Sequence, residues 1–286
     1  MSTTRKLKDL LAEKKLIVAP GAYDALTAKL IEGAGFEAIY MTGYGTAASM
    51  LGLPDIGLLT MTEMLSNARA IAGAVNIPLI ADADTGYGNP INVIRTVREY
   101  EKAGAAAIHI EDQIWPKRCG HMSGKQVIPK NDMIAKIKAA TDSRENEDFL
   151  IIARCDALAV EGWDAAIERG HAYVDAGADI IFIEAPETVE QMRQIPALFS
   201  IPCLINIAPR TPVLPAAELE EMGFAIAIYP GMCLMATIQA NLDSLKQFKE
   251  TGTPKGFDEF LASFVEFNQF IGLAEFNELE KKYHSE

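Results

Sequence analysis

Residues 101–112 read EKAGAAAIHIED, and the same cadence returns as EGAGFEAIYMTG at 32–43, VDAGADIIFIEA at 174–185 and EEMGFAIAIYPG at 220–231. In each, a helical pattern stops on a glycine (Gly104, Gly35, Gly177, Gly223) and an apolar run starts within three residues. Glycine has no Cβ and takes the left-handed position after a helix with least strain. The apolar runs are continuous rather than alternating, as expected of strands covered on both faces. Each segment therefore reads as helix, tight turn, buried parallel strand.

Working outward, further apolar runs lie at Leu16–Ala19, Pro78–Ala81, Phe149–Ala153 and Cys203–Ile207, which brings the candidate strands to eight. Amphipathic stretches of helical period separate them, among them Met61–Val75, Asn92–Ala103, Trp163–Ala176 and Glu187–Leu198. Eight strand–helix repeats in 286 residues match a closed (β/α)8 TIM barrel, which takes about 250 residues. A doubly wound open sheet is the alternative, but no GxGxxG follows the first strand. The expected division is a catalytic barrel over 1–255 and a C-terminal helical extension of the same domain over 256–286. Phe257, Phe260, Phe264, Phe267 and Phe270 recur there at three- and four-residue spacing. Such a stripe needs a surface, either its own barrel or a neighbouring subunit.

Composition narrows the function classes. Lys+Arg number 26 against 39 Asp+Glu, a net charge of −13 that repels nucleic acid and anionic membranes. An anionic ligand then needs a local cation or a metal. The charged start MSTTRKLKDLLAEKK lacks the apolar core of a secretory signal, and no apolar run is long enough to span a bilayer. Four cysteines without CxxC spacing are too few for a disulfide framework, so a reduced, cytoplasmic protein is expected.

In a barrel of this kind, catalytic groups gather where strands end. Those positions hold Thr42-Gly43-Tyr44, Asp82 and Asp84, Glu111, Arg154, Glu184 and Asn206. Asp82 and Asp84 are alternate residues, so both carboxylates are expected on one side of the strand, with Glu111 on the next. Three converging carboxylates call for a hard cation, Mg²⁺ or Mn²⁺; the competing reading of Asp84 alone is a helix cap. The loop QIWPKRCGHMSGK, 113–125, is polar, glycine-bearing and expected to move. Lys117, Arg118 and His121 flank Cys119, and cations so placed are expected to lower its pKa and fit it as a nucleophile or a proton donor. Cys203 and Cys233 read as small apolar core residues.

The chain resembles the isocitrate lyase and phosphoenolpyruvate mutase superfamily from APGAYDALTAKLIEGAGF (19–36) through its last helices. GLPD at 52–55, DADTGYG at 82–88 and ARCDA at 153–157 match it, and KRCGH at 117–121 is similar to the lyase branch. The resemblance implies that Asp82 and Asp84 bind Mg²⁺, partly through water. It also implies that Thr42, Gly43, Tyr44, Asp55, Gly120, His121, Arg154, Glu184 and Asn206 line a site for a small 2-hydroxy dicarboxylate. Cys119 and Glu111 join the catalytic set, and Tyr44 or a metal-bound water is the candidate base. The implied assembly is a homotetramer in which C-terminal helices swap between paired subunits.

The implied activity is C2–C3 cleavage of a 2-hydroxy acid with protonation by Cys119. The expected substrate is 2,3-dimethylmalate, giving pyruvate and propionate, ahead of methylisocitrate and of oxaloacetate decarboxylation or hydrolysis. The order follows from departures in this chain. No arginine follows Arg210, YPGMCLMA places Met235 where methylisocitrate lyase has one, and NIAPRT carries Ala208-Pro209 in place of a polar pair. A smaller, more apolar pocket is implied, with Arg210 as partial compensation.

Overall fold

The computed structural model describes residues 2–254 and 264–283. Strands β1 (Ile17–Ala22), β2 (Ile39–Met41), β3 (Leu79–Asp82), β4 (Ala107–Glu111), β5 (Leu150–Cys155), β6 (Ile180–Ile183), β7 (Cys203–Asn206) and β8 (Ile226–Tyr229) are all parallel and close into a barrel in sequence order. The closing pair is β1 with β8, Ile17 opposite Ile226. Helices are α1 (Thr3–Ala12), α2 (Ala25–Gly33), α3 (Gly43–Leu51), α4 (Met61–Ala74), α5 (Pro90–Lys102), α6 (Lys130–Ser143), α7 (Leu158–Glu161), α8 (Trp163–Asp175), α9 (Val189–Leu198), α10 (Ala216–Met222), α11 (Met232–Thr251), α12 (Phe264–Phe270) and α13 (Leu273–Tyr283). The (β/α)8 expectation holds, and all eight apolar runs are strands, with ends shifted by up to three residues.

The helix-ending glycines behave as expected: Gly35, Gly104, Gly177 and Gly223 have φ of 89°, 92°, 102° and 98°. Strand side chains alternate between two apolar layers. Leu79, Ala81, Ile151, Ala153, Ile181, Ile183 and Ile205 pack outward on Met64, Ile71, Val93, Tyr100, Met133, Ile137 and Met192 of the helices. Ile17, Tyr40, Ile80, Ile152, Ile180, Phe182, Leu204, Ile226 and Ile228 form a second cluster with Leu7 of α1. By alternation this cluster fills the barrel interior, and each fully buried Ile or Leu contributes about 1.5–3 kcal/mol.

The chain divides into two compact units, Met1–Leu234 with the barrel and Met235–Glu286, the boundary falling inside α11. The second unit carries exposed apolar side chains along α11 (Ile238, Leu242, Leu245, Phe248), α12 (Phe264, Phe267, Phe270) and α13 (Phe276, Leu279). Phe257 and Phe260 of the expected stripe lie outside the described residues. Among the described residues no helix is long and apolar enough to cross a membrane.

Candidate active site

The inward-facing register that fills the barrel with hydrocarbon continues, two residues further along, into charge. Tyr40 is followed by Thr42, Ile80 by Asp82, Ala107 by His109 and Glu111, Ile152 by Arg154 and Asp156, Phe182 by Glu184, and Leu204 by Asn206. Period-2 geometry therefore aims all of these at one mouth. Six buried carboxylates (Asp55, Asp82, Asp84, Glu111, Asp156, Glu184) meet there with three buried cations, Lys117, Lys125 and Arg154.

Arg154 is the hub. Its Nε lies 2.8 Å from Asp156 Oδ2 and 3.3 Å from Glu111 Oε2, and Nη2 lies 3.6 Å from Glu184 Oε1. Burial works against the charge on Asp156, but Arg154 and Lys125 hold its carboxyl far below the usual range. Asn206 Nδ2 donates to Glu184 Oε1 at 3.1 Å, and His121 Nε2 stands 3.2 Å from the same oxygen. Burial likewise opposes ionisation of Glu184, and Arg154 with His121 overcomes it.

The acidic side of the mouth is less satisfied. Neither oxygen of Glu111 accepts a hydrogen bond, and burial pushes this carboxyl well above its usual value despite Arg154 and Lys117. Asp84 is pushed up to about 7, by burial first and against the pull of Lys117, with Asp82 and Asp55 adding repulsion. Burial also opposes the charge on Asp82, yet His109, Lys117, Arg154 and the Asp84 N–H together hold it below its ordinary value. Burial draws His109 itself down to about 4, so its ring is neutral at pH 7; Nε2 lies 2.8 Å from the Tyr40 hydroxyl and 3.5 Å from Asp82 Oδ1. A surplus of buried hard oxygens, some without donors, fits a divalent cation. Among the described residues no three His, Cys, Asp or Glu form a ready-made cage. That suits Mg²⁺, which keeps several waters and takes one or two protein carboxylates.

Two expectations need correction. Asp82 ends β3 facing inward, but Asp84 is not its strand alternate. Asp84 sits in a left-handed turn at φ 47°, its N–H donating to Asp82 Oδ1 at 2.9 Å, and a turn rather than the pleat brings the two carboxylates together. The cations around Cys119 do not lower its pKa either. Lys117 is drawn to Asp55 and Asp84 (2.7 and 2.8 Å), and His121 to Glu184 and Asn206, so burial dominates and pushes the thiol up to about 11. Cys119 is thus a held proton, unsuited to a resting thiolate nucleophile.

The 113–125 loop lies tethered across the mouth. Cys119 N–H donates to the Asp55 carbonyl at 3.1 Å, which places Asp55 beneath the loop. Lys125 Nζ bonds both the Gly120 carbonyl (2.5 Å) and Asp156 Oδ1 (2.8 Å). His121 Nδ1 accepts from the Arg210 N–H at 3.1 Å, while the Arg210 guanidinium pairs with Glu187. Gly120 passes so close that a Cβ there would stand 2.0 Å from Glu184 Oε1. Thr42 caps α3 by accepting from the Gly45 N–H, and a Cβ on Gly43 would meet Asp82 Oδ2 at 2.3 Å. Half-buried Tyr44 opens the same helix. These contacts link Thr42, Gly43, Asp55, Asp82, Asp84, Glu111, Cys119, Gly120, His121, Arg154, Glu184 and Asn206, and four residues that sequence reasoning gave no role (Lys125, Asp156, Tyr40, His109) join them. For Asp156 a signal existed: it follows Arg154 by two.

The phosphoenolpyruvate phosphomutase family model matches residues 7–249. The chain is 52% identical to 2,3-dimethylmalate lyase of Eubacterium barkeri over 285 residues, 99% of each chain. A crystal structure of 2,3-dimethylmalate lyase superposes with a TM-score of 0.93 at 39% identity, covering 99% of this chain and 95% of that one. Phosphonopyruvate hydrolase, solved with oxalate and Mg²⁺, superposes with a TM-score of 0.90 at 33% identity, covering 99% of both.

Proposed function

This chain belongs to the phosphoenolpyruvate phosphomutase family, and from that premise we propose that it is a carbon–carbon lyase cleaving 2,3-dimethylmalate to pyruvate and propionate. The observation that carries the reading is the full-length 52% identity to 2,3-dimethylmalate lyase. The half-buried Cys119, whose thiol is held protonated over a carboxylate-lined mouth, supplies the proton that such a cleavage needs.

Asp82 and Asp84 would hold Mg²⁺, partly through water, with Glu111 beside them. A bound Mg²⁺ acidifies the hydroxyl of a 2-hydroxy acid that chelates it. The chain's own groups do the rest. The N–H groups of Gly43 and Tyr44 at the start of α3 suit the substrate carboxylate. Tyr44 is the side chain we assign to relay the 2-hydroxyl proton, its hydroxyl oxygen accepting that proton as its own passes on to water. As that O–H proton leaves, C2 becomes the carbonyl of pyruvate, the C2–C3 bond breaks and its electron pair stays on C3 beside the second carboxylate. Arg154, His121 and Asn206 stabilise that developing charge. Cys119 Sγ–H delivers its proton to C3, giving propionate, and the 113–125 loop keeps water from competing.

The Glu187 carboxylate already engages Arg210, which supports a dicarboxylate over a tricarboxylate substrate. The exposed apolar side chains of α11 to α13 among the described residues support a homotetramer built through these helices. Four free thiols support a reducing cytoplasm. The test is NMR of the purified protein with Mg²⁺ and a panel of 2-hydroxy and 2-oxo diacids. Pyruvate and propionate should appear from 2,3-dimethylmalate alone or fastest; faster turnover of methylisocitrate or oxaloacetate overturns the assignment.

A further inference from the structure

Residues 84–88 hold four left-handed φ values: Asp84 47°, Gly86 78°, Tyr87 59° and Gly88 147°. For Asp84 and Tyr87 that conformation crowds Cβ and persists only where the surroundings enforce it. The backbone carbonyls show how. Asp82 O accepts from Tyr100 Oη at 3.1 Å, Ala83 O from the Gly86 N–H at 2.9 Å, Asp84 O from the Glu111 N–H at 2.9 Å, and Gly86 O from Thr96 Oγ1 at 3.1 Å. The remaining one, Thr85 O, accepts from Lys136 Nζ at 2.9 Å. Five successive carbonyls are therefore fixed, and only one of the donors carries a charge.

Lys136 is out of place for a lysine. It lies on the core-facing stripe of α6 with Met133, Ile137 and Ala140, and is 7% exposed. None of the ion pairs among the described residues includes it, and burial lowers its pKa, opposed only at a distance by Asp132, Glu111 and Asp112. A methionine would fill the stripe without the desolvation cost, so what the lysine adds is its grip on Thr85 O.

We propose that Lys136 is a positioning residue for the divalent-metal site: its ammonium locks the turn at Thr85 and so aims the neighbouring Asp84 carboxylate into the barrel mouth. This rests on the reading of Asp82 and Asp84 as metal residues. Removing partners that orient metal ligands from behind typically weakens metal affinity about 10–100-fold.

The experiment titrates full-length wild type, Lys136→Met and Lys136→Arg with Mn²⁺, reading free Mn²⁺ by electron paramagnetic resonance, alongside circular dichroism melts. Lys136→Met should bind Mn²⁺ about 10–100-fold more weakly while keeping its helical signal, and Lys136→Arg, which keeps a charged donor, should restore most of the affinity. Should Lys136→Met not fold, Lys136→Gln is the second variant, with the same weakening expected. Undiminished Mn²⁺ affinity in the folded variant overturns the proposal and leaves the metal reading intact. A wild type that takes up no Mn²⁺ overturns the metal reading, and the proposal with it.

Discussion

At Ile80, Ile152, Phe182 and Leu204 the barrel interior is hydrocarbon, and two residues on along the same strands, at Asp82, Arg154, Glu184 and Asn206, it is charged or amide. Backbone, twist and register are shared, so the difference between the two layers lies in side chains alone. The lower layer gains free energy by burial and needs no partner. In the upper layer every charge loses hydration, and six carboxylates face three cations, so that layer is held by the scaffold beneath it rather than holding it. Arg154 marks the seam, its guanidinium 5.3 Å from the centre of the Phe182 ring.

The largest effect expected from breaking the contrast is in the upper layer. Cys119→Ala should lower turnover by about 10²–10⁴-fold and leave the melting temperature nearly unchanged, since the residue donates a proton and supports no core. In the wild type, thiolate absorbance at 240 nm should rise with a midpoint near 11. A midpoint near 8.5, the ordinary thiol value, would show the loop to be open and the thiol solvated.

Ile152→Ala should do the reverse: about 2–5 kcal/mol of stability lost by denaturant titration, with kcat per folded molecule unchanged. A large loss of kcat would mean the layers are not separable.

Lys125→Met tests the tether that holds the 113–125 loop to the upper layer. Losing one buried donor to Gly120 O and Asp156 should speed alkylation of Cys119 by about 10–100-fold through more frequent loop opening. It should also move acid unfolding to higher pH. Asp156 has a depressed folded pKa, so its contribution is present above about pH 4 and is lost as pH falls towards that depressed value; without Lys125 the depression shrinks. An unchanged acid transition would place the stabilisation on Arg154 alone.

The smallest effect lies at the rim. Arg210 and Glu187 are 38% and 54% exposed at the side chain, so Glu187→Gln should raise kcat/KM for methylisocitrate by about fivefold at most, the scale of an exposed ion pair. A larger gain would make Arg210 a carboxylate anchor.

Much of this contrast was legible in the chain. Helix-end glycines followed by unbroken apolar runs are local signals, and polar residues at the ends of those runs mark the mouth. What was hidden is tertiary. Whether Asp84 continues a strand or turns left-handed depends on donors from α5, α6 and β4, with Lys136 standing 51 residues away from Thr85. The state of Cys119 depends on where its neighbouring cations turn: Lys117 turns to Asp55 and Asp84, His121 to Glu184, and Arg118 is exposed. Tyr40 and His109 sit inside apolar runs, where an aromatic or a histidine raises no alarm.

The pairing of β1 with β8 sets a condition on how this protein is born. Ile17 has no permanent edge partner on that side until Ile226 has been made, about two hundred residues later. At roughly 5–20 residues per second, the first strand leaves the ribosome some 10–40 s before the last. Throughout that interval its open edge must stay away from other chains. The neighbouring α1, with Leu7 fully buried among the finished interior side chains, emerges before any strand, an amphipathic stopper made ahead of the vessel it will close.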